Sequence, residues 1–150
     1  TSQEALAEMR LLIYQLRPPV LDKEGLLTAL QARLAAVEGR AGLKTSLKTD
    51  LTTRLPFTME EGLYHIAQEA LNNTLKHSHA KSVNLAIRQN GPVITLEIID
   101  DGTGFDVANA YQEGKMGLTD MEEHATELGG KLTVISEPGH GTRIRVDVIL

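Results

Sequence analysis

The 150-residue chain has no cysteine and no tryptophan, and only two phenylalanines and three tyrosines. Without thiols there is no disulfide, no thiolate metal site and no cysteine nucleophile. With so few rings, a core must be built from Leu, Ile, Val and Ala. Basic charge is also scarce: 15 Lys and Arg stand against 20 Asp and Glu, a net charge of −5. That argues against a broad nucleic-acid surface, which needs a basic excess. No apolar run approaches the ~18 residues of a membrane span, and no signal peptide opens the chain. No methionine opens it either; Thr1 stands inside a helical pattern, as expected of a piece of something longer. The length suits one domain with a real core.

The most informative stretch is residues 65 to 81, the middle and end of an expected helix. Thr58 and Glu61 have the spacing of a capping box, which predicts a helix from near Thr58 to about residue 77. At about 100° per residue, Met59, Leu63, Ile66, Ala67, Ala70 and Leu71 share one side, the core side. Beside it Glu69, Asn73 and Lys76 fall on a polar stripe roughly 60° wide. A carboxylate there can accept a proton or order a water. An amide oxygen is a hard ligand of the kind Mg²⁺ takes beside phosphates, and an ammonium can neutralise a phosphate. Taken alone, such a stripe is more often simply solvated.

The rest of the chain supplies context. Residues 2 to 17 form an amphipathic helix with Ala5, Leu6, Met9, Leu12, Ile13 and Leu16 on one stripe, either a bundle seam or a helix folded back on its own domain. Pro18-Pro19 ends it, and Val20-Leu21-Asp22 reads as a connector. A second helix is expected from about Lys23 to Glu38, with Leu26, Leu27, Leu30, Leu34 and Val37 inward. Leu43 to Leu51 reads as an edge strand, and residues 81 to 100 as a hairpin turning at Asn90-Gly91-Pro92. Residues 101 to 117 read as a long polar, glycine-rich loop of the kind that is functional or disordered. Leu118, Met121, Ala125 and Leu128 mark another helix, and Leu132–Glu137 and Thr142–Ile149 the last two strands. This order predicts an α+β fold, a two-layer sandwich with helices on one face of a mixed sheet.

Several short motifs could carry chemistry. Asp100-Asp101-Gly102-Thr103-Gly104 follows a strand; a carboxylate at a strand end can accept from an exocyclic amine such as that of adenine, and glycine lets a flat ring approach the backbone. Alone it is a plain Asp-Gly turn. Gly114-Lys115-Met116-Gly117 precedes a helix opening at Leu118, where free amides suit phosphate, or where glycine merely caps. Gly139-His140-Gly141-Thr142 is a tight turn with a hydroxyl, or an ordinary hairpin. The competing motifs fail: there is no P-loop, no third glycine for a dinucleotide fingerprint and no nucleophile elbow. His77 and His79 point apart on a helix, with no third metal ligand near.

The order of these weak motifs is informative. Glu-x-x-x-Asn on a helix, Asp-x-Gly-x-Gly after a strand, a glycine loop, and Gly-x-Gly-Thr before the last strand together resemble the GHKL (Bergerat-type) ATP-binding fold of histidine kinases, type II topoisomerases, a heat-shock chaperone family and mismatch-repair proteins. That resemblance covers residues 43 to 150. Leu16-Arg17-Pro18-Pro19-Val20-Leu21-Asp22 through Leu30, and Gln68-Glu69-Ala70-Leu71-Asn72-Asn73-Thr74-Leu75-Lys76-His77, resemble sensor histidine kinases that pair with helix-turn-helix response regulators. The resemblance implies that residues 1–22 are the tail of a dimerisation helix with its linker, and 23–150 a catalytic ATP-binding domain. It implies ATP and Mg²⁺ as ligands, with Asn73 on the metal and Glu69 beside metal and phosphates. Lys76 and His77 would face the phosphates, Asp100 the adenine amine, and Gly102 and Gly104 that wall. Residues 106 to 116 would be a lid hinged near Gly114 and Gly117, with Lys115, Gly117 and Leu118 at its base. Gly139, Gly141 and Thr142 would close the adenine side.

Departures from the family pattern carry expectations too. The family often has glycine at positions 115 and 120 and basic residues at 122 and 124, where this chain has Lys115, Asp120, Glu122 and His124; the more acidic lid base predicts modest ATP affinity. None of the five histidines is followed by an acidic residue, so this chain lacks a phosphoacceptor and is not expected to autophosphorylate. The partners implied are a histidine-bearing dimerisation domain of the same kinase, homodimeric in the parent, and a response regulator. The setting implied is cytoplasmic, the parent being free or membrane-anchored. Two other readings stay open: an ATP hydrolase of the same fold using Glu69 to activate water, and a non-catalytic interaction module.

Overall fold

A computed structural model describes residues 19–150. The stripe at residues 2 to 17 lies outside these described residues. Two helices open the described part of the fold: α1 (Pro19–Glu24) and α2 (Leu26–Ala41). Where a connector was expected at Val20–Asp22 the chain is helical, and Leu21 is fully buried. Pro19 is the first residue of α1, a position where its fixed φ and missing N–H cost nothing. Gly25 separates the two helices at φ 93°, a left-handed value that glycine alone adopts freely. A Cβ there would also run into the Arg54 guanidinium.

Arg54 and Glu60 fix this corner. Glu60 is 3% exposed, accepts from Arg54 Nη2 at 2.7 Å, and faces the Leu26 N–H at 3.4 Å. Its carboxylate thus sits at the positive end of α2, where an anion is favoured.

After the edge strand β1 (Lys44–Thr49) comes the long helix α3 (Phe57–Asn73), followed by a π-helical turn over Thr74–Ser78. The cap of α3 is Pro56, with no side-chain cap bond. The Thr58–Glu61 capping box is therefore not formed: Thr58 already lies inside the first turn. The core side is as the periodicity gives it, with Met59, Leu63, Ile66, Ala67, Ala70 and Leu71 all buried. Then follow β2 (Ser82–Asn90), β3 (Val93–Asp100), α4 (Val107–Glu113), α5 (Leu118–Glu127), β4 (Lys131–Ser136) and β5 (Thr142–Ile149). The helix α4 stands where a long loop was expected.

The sheet order is β1-β2-β3-β5-β4, with β1 parallel to β2 and the other pairs antiparallel. Alternation sorts the side chains into two rows. Ile94, Leu96 and Ile98 on β3, and Ile144, Val146 and Val148 on β5, are buried with α2, α3 and α5 in one core. The other face carries Arg143, Arg145, Asp147 and Glu97, in part paired, as in Arg145 Nε to Asp147 Oδ2 at 3.0 Å.

Helices α3 and α5 pack closely at Gly62, where a Cβ would come within 2.7 Å of Leu128 Cδ1. Gly62→Val is therefore expected to destabilise the fold by about 1–3 kcal/mol through overpacking. The urea-unfolding midpoint checks this; an unchanged midpoint would mean that Leu128 moves aside freely.

Candidate nucleotide site

The inner rows of β3 and β5 both end in a polar residue. Asp100 continues Ile94, Leu96 and Ile98, and register pairs it with Thr142, which heads Ile144, Val146 and Val148. Both are nearly buried, at 9% and 8% exposure. Asp100 Oδ1 accepts from the Gly102 N–H at 2.9 Å, and Oδ2 from Thr74 Oγ1 at 3.1 Å. Burial pushes the Asp100 carboxyl above its usual range, against the bonds from Gly102 and Thr74. Its neighbour Asp101 has a structural task. It takes the N–H groups of Ser82 and Lys81 and the Ser82 hydroxyl, and these bonds hold its carboxyl below the usual range. Of the two adjacent aspartates, only Asp100 faces the pocket.

The pocket is lined by Ala70, Asn73, Thr74, Ile98, Asp100 and Thr142, with His77, Gly104, Phe105, Met116 and Ile144 completing it. The free space inside is about 10 Å³, at or below what one water needs. That volume does not hold a flat ring. A wider cleft of about 520 Å³ adjoins, bounded by His77, Phe105, Asn109, Glu113, Lys115 and Met116.

Glycine makes the walls thin. A Cβ at Gly141 would collide with the Asp100 carbonyl, and one at Gly104 with the Glu137 carbonyl. Ser136 Oγ ties this corner together: it donates to the Gly141 carbonyl at 2.9 Å and receives the Phe105 N–H at 2.9 Å. Gly139 lies farther out, its N–H donating to the Thr103 carbonyl.

On the helix side, Asn73 ends α3 and Glu69 stands one turn before it. Asn73 Nδ2 donates to the Met116 carbonyl at 2.6 Å. Gly117 rests against Glu69 so closely that a Cβ there would collide with the carboxylate. Of the three stripe residues, Asn73 lines the pocket and Glu69 stands beside it against Gly117, whereas Lys76 is exposed; neither Glu69 nor Lys76 lines either cavity. A π turn follows Asn73; bonding i to i+5, it rotates Lys76 off the stripe that α geometry gives it,. His77, four residues after Asn73, lines both cavities. Lys115 borders the cleft and pairs with Glu113 at 2.9 Å. Leu118 offers only its backbone, since its side chain is 1% exposed in the core.

The oxygens present fit a hard cation held jointly with phosphates. Asn73 Oδ1 and the Glu69 carboxylate lie on one helix face, and among the described residues no three His, Asp or Glu side chains gather to hold a metal alone. Mg²⁺ is commonly held so, by one or two protein oxygens with phosphates and water. Sequence reasoning missed Thr74, Phe105, Ser136 and the Met116 carbonyl; only Thr74, inside the matched helix motif and next to Asn73, carried a signal.

Comparison with known proteins bears on the family and the fold. The family profile described as "Histidine kinase-, DNA gyrase B-, and HSP90-like ATPase" matches residues 58–150. The chain is 35% identical over 147 residues to the signal transduction histidine-protein kinase/phosphatase DegS of Brevibacillus brevis, covering 97% of this chain and 38% of that protein. It is 36% identical over 146 residues to the sensor histidine kinase LiaS of Bacillus subtilis (strain 168), covering 97% of this chain and 40% of that one. The chain thus spans about two fifths of the length of these relatives. Its fold resembles the histidine kinase domain of the Erythrobacter litoralis EL346 blue-light activated histidine kinase, with TM-score 0.68 at 25% identity over 83% of this chain and 61% of that one. The ThkA catalytic domain shares the fold at TM-score 0.66 and 10% identity, over 83% of this chain and 90% of that one. No helix among the described residues is long and apolar enough to cross a membrane. With the profile covering most of its length, the chain belongs to the family of histidine kinase-, DNA gyrase B- and HSP90-like ATPases.

Proposed function

We propose that this chain is the ATP-binding catalytic domain of a sensor histidine kinase, and that it passes the γ-phosphoryl of Mg-ATP to a histidine on a separate dimerisation domain. The reading rests on one juxtaposition: the buried Asp100 carboxylate and the Asn73 amide line the same pocket. Asp100 and Thr74 would take the adenine edge, with Gly104 and Gly141 giving the ring its narrow slot. Asn73 Oδ1, with Glu69 beside it, would hold Mg²⁺, which neutralises charge on the phosphates. His77 and Lys115 would border the phosphates. The acceptor imidazole nitrogen then bonds to the γ-phosphorus as the bond to the β-phosphate oxygen breaks. ADP leaves and the imidazolium gives up its proton. Positioning and charge neutralisation supply most of the rate. The phosphohistidine would serve a response regulator, and the site would work in the cytoplasm, where ATP is supplied.

The test uses γ-labelled Mg-ATP and a separately made dimerisation domain carrying the acceptor histidine. Acid-labile label on that domain is expected. Label released as free phosphate without it would overturn the kinase reading in favour of hydrolysis through Glu69.

A pH dependence follows from Asp100. Its folded-state pKa lies above the unfolded one because of burial, so the group favours the fold only when protonated. That contribution is present below the unfolded pKa and is lost as pH rises through the folded one. Adenine recognition needs the other state, the ionised acceptor. Affinity for ATP is therefore expected to fall on acidification at a pH above the usual aspartate value of about 3.9. Titration of binding against pH checks this; affinity that held steady down to that value would contradict it.

A further inference from the structure

The contact between Asn73 and Met116 joins the helix α3 to the segment between α4 and α5. Its chemistry fixes the amide's orientation. The Met116 group is a carbonyl, an acceptor only, so the side of Asn73 that meets it at 2.6 Å must be the NH₂,. The oxygen Oδ1 is then the end left free. The backbone at this point is shaped for the contact. Met116 has φ 65° and Gly117 φ 61°, consecutive left-handed residues that turn the carbonyl back toward α3. A methionine at positive φ is uncommon and is strained unless its surroundings enforce it. Gly117 is needed for a second reason, its close seat on Glu69. The segment is thus seated at residues 69 and 73, one turn apart on the same face of α3.

We propose that the Met116 carbonyl is a positioning group: it sets the Asn73 amide so that Oδ1 points to the cation of a bound nucleotide, coupling the seating of the 114–117 segment to metal loading. This rests on the functional reading above. The coupling runs both ways. A cation on Oδ1 polarises the amide and makes its N–H a better donor to Met116. A seated Met116 holds the oxygen in place for the cation. The Met116 side chain, with its flexible thioether, can leave the purine slot by rotating while its carbonyl stays. The inference also explains why an amide, rather than a carboxylate, suits position 73. An aspartate would offer the cation an oxygen but would set its second oxygen against the Met116 carbonyl.

The test measures Mg²⁺-dependent hydrogen exchange at residues 115–118 with ADP as probe, alongside ADP affinity with Mg²⁺ and with EDTA. In the unsubstituted chain Mg²⁺ should slow exchange there by about tenfold, the scale of one charge-assisted hydrogen bond. Asn73→Asp keeps one oxygen for the cation, and at saturating Mg-ADP it should lose that slowing. Met116→Gly keeps the carbonyl and suits the left-handed backbone, so it should keep the slowing. Thermal midpoints of all three chains are recorded, because a merely structural contact would shift the midpoint and leave the metal dependence intact. Full slowing in Asn73→Asp, no Mg-ADP binding by it, or loss of slowing in Met116→Gly would each overturn the proposal. An unsubstituted chain that binds no Mg-ADP would instead overturn the functional reading, and this inference with it.

Discussion

Asn73→Ala is expected to lower Mg-ATP-dependent phosphotransfer by about 10³-fold, the scale of losing one preorganised group that stabilises developing charge. The substitution takes away two things together. It removes the oxygen proposed to hold the metal, and it removes the donor to the Met116 carbonyl. The fold should survive. Asn73 is only part-buried, while the neighbouring Leu71 and Thr74 stay anchored, Leu71 fully in the core and Thr74 through its bond to Asp100. Loss of one part-buried hydrogen bond costs about 1 kcal/mol, far less than the stability of a domain of this size. Phosphotransfer to an added dimerisation domain, measured beside a thermal midpoint, separates the two effects. Activity within a few-fold of the unsubstituted chain would remove Asn73 from the metal site.

How much of this was legible follows from particular residues. The rows Ile94–Leu96–Ile98–Asp100 and Thr142–Ile144–Val146–Val148 alternate with period two, so a polar residue closing an apolar row is legible in the sequence. The core side of α3 was equally plain from its period. The helix α4 was hidden because Val107, Ala110 and Tyr111 make only one short stripe between glycines. Seven residues are too few for periodicity to speak, and such a helix is held by packing rather than propensity,. The π turn has no marker in Thr74-Leu75-Lys76-His77, so Lys76 was placed on a stripe from which the turn rotates it. Nor does a methionine announce a left-handed backbone. Met116 takes that form because Gly117 lets the segment settle on Glu69 and Asn73 donates a hydrogen bond to its carbonyl. Nothing in the sequence marks Glu60 as the buried partner of Arg54 and of the Leu26 N–H, because the latter comes from a helix far away in the chain.

The second large effect is one of selectivity. Asp100→Asn is expected to weaken ATP binding by about 10²-fold, from the 1–3 kcal/mol lost when a buried polar contact is left unpaired, while leaving stability unchanged or slightly higher. The neighbours decide how the new amide lies. The Gly102 N–H needs an acceptor, so the amide oxygen stays on it. The NH₂ is then forced toward Thr74 and the pocket. Thr74 Oγ1 can accept it, because its own proton has an alternative partner in the Ala70 carbonyl at 3.2 Å. The pocket would now present a donor where adenine's exocyclic amine needs an acceptor. A 6-oxo purine presents an acceptor there, so the preference for ATP over GTP should shrink or invert. Stability should not fall, since burial already makes the ionised carboxylate at position 100 unfavourable, and the amide has no charge to bury. Titrations with ATP and GTP, together with a thermal midpoint, give a clear answer. Weaker binding of both nucleotides by the same factor would mean that Asp100 shapes the slot without reading the base. Weaker ATP binding with GTP unchanged or improved would assign the base-reading role to Asp100 itself.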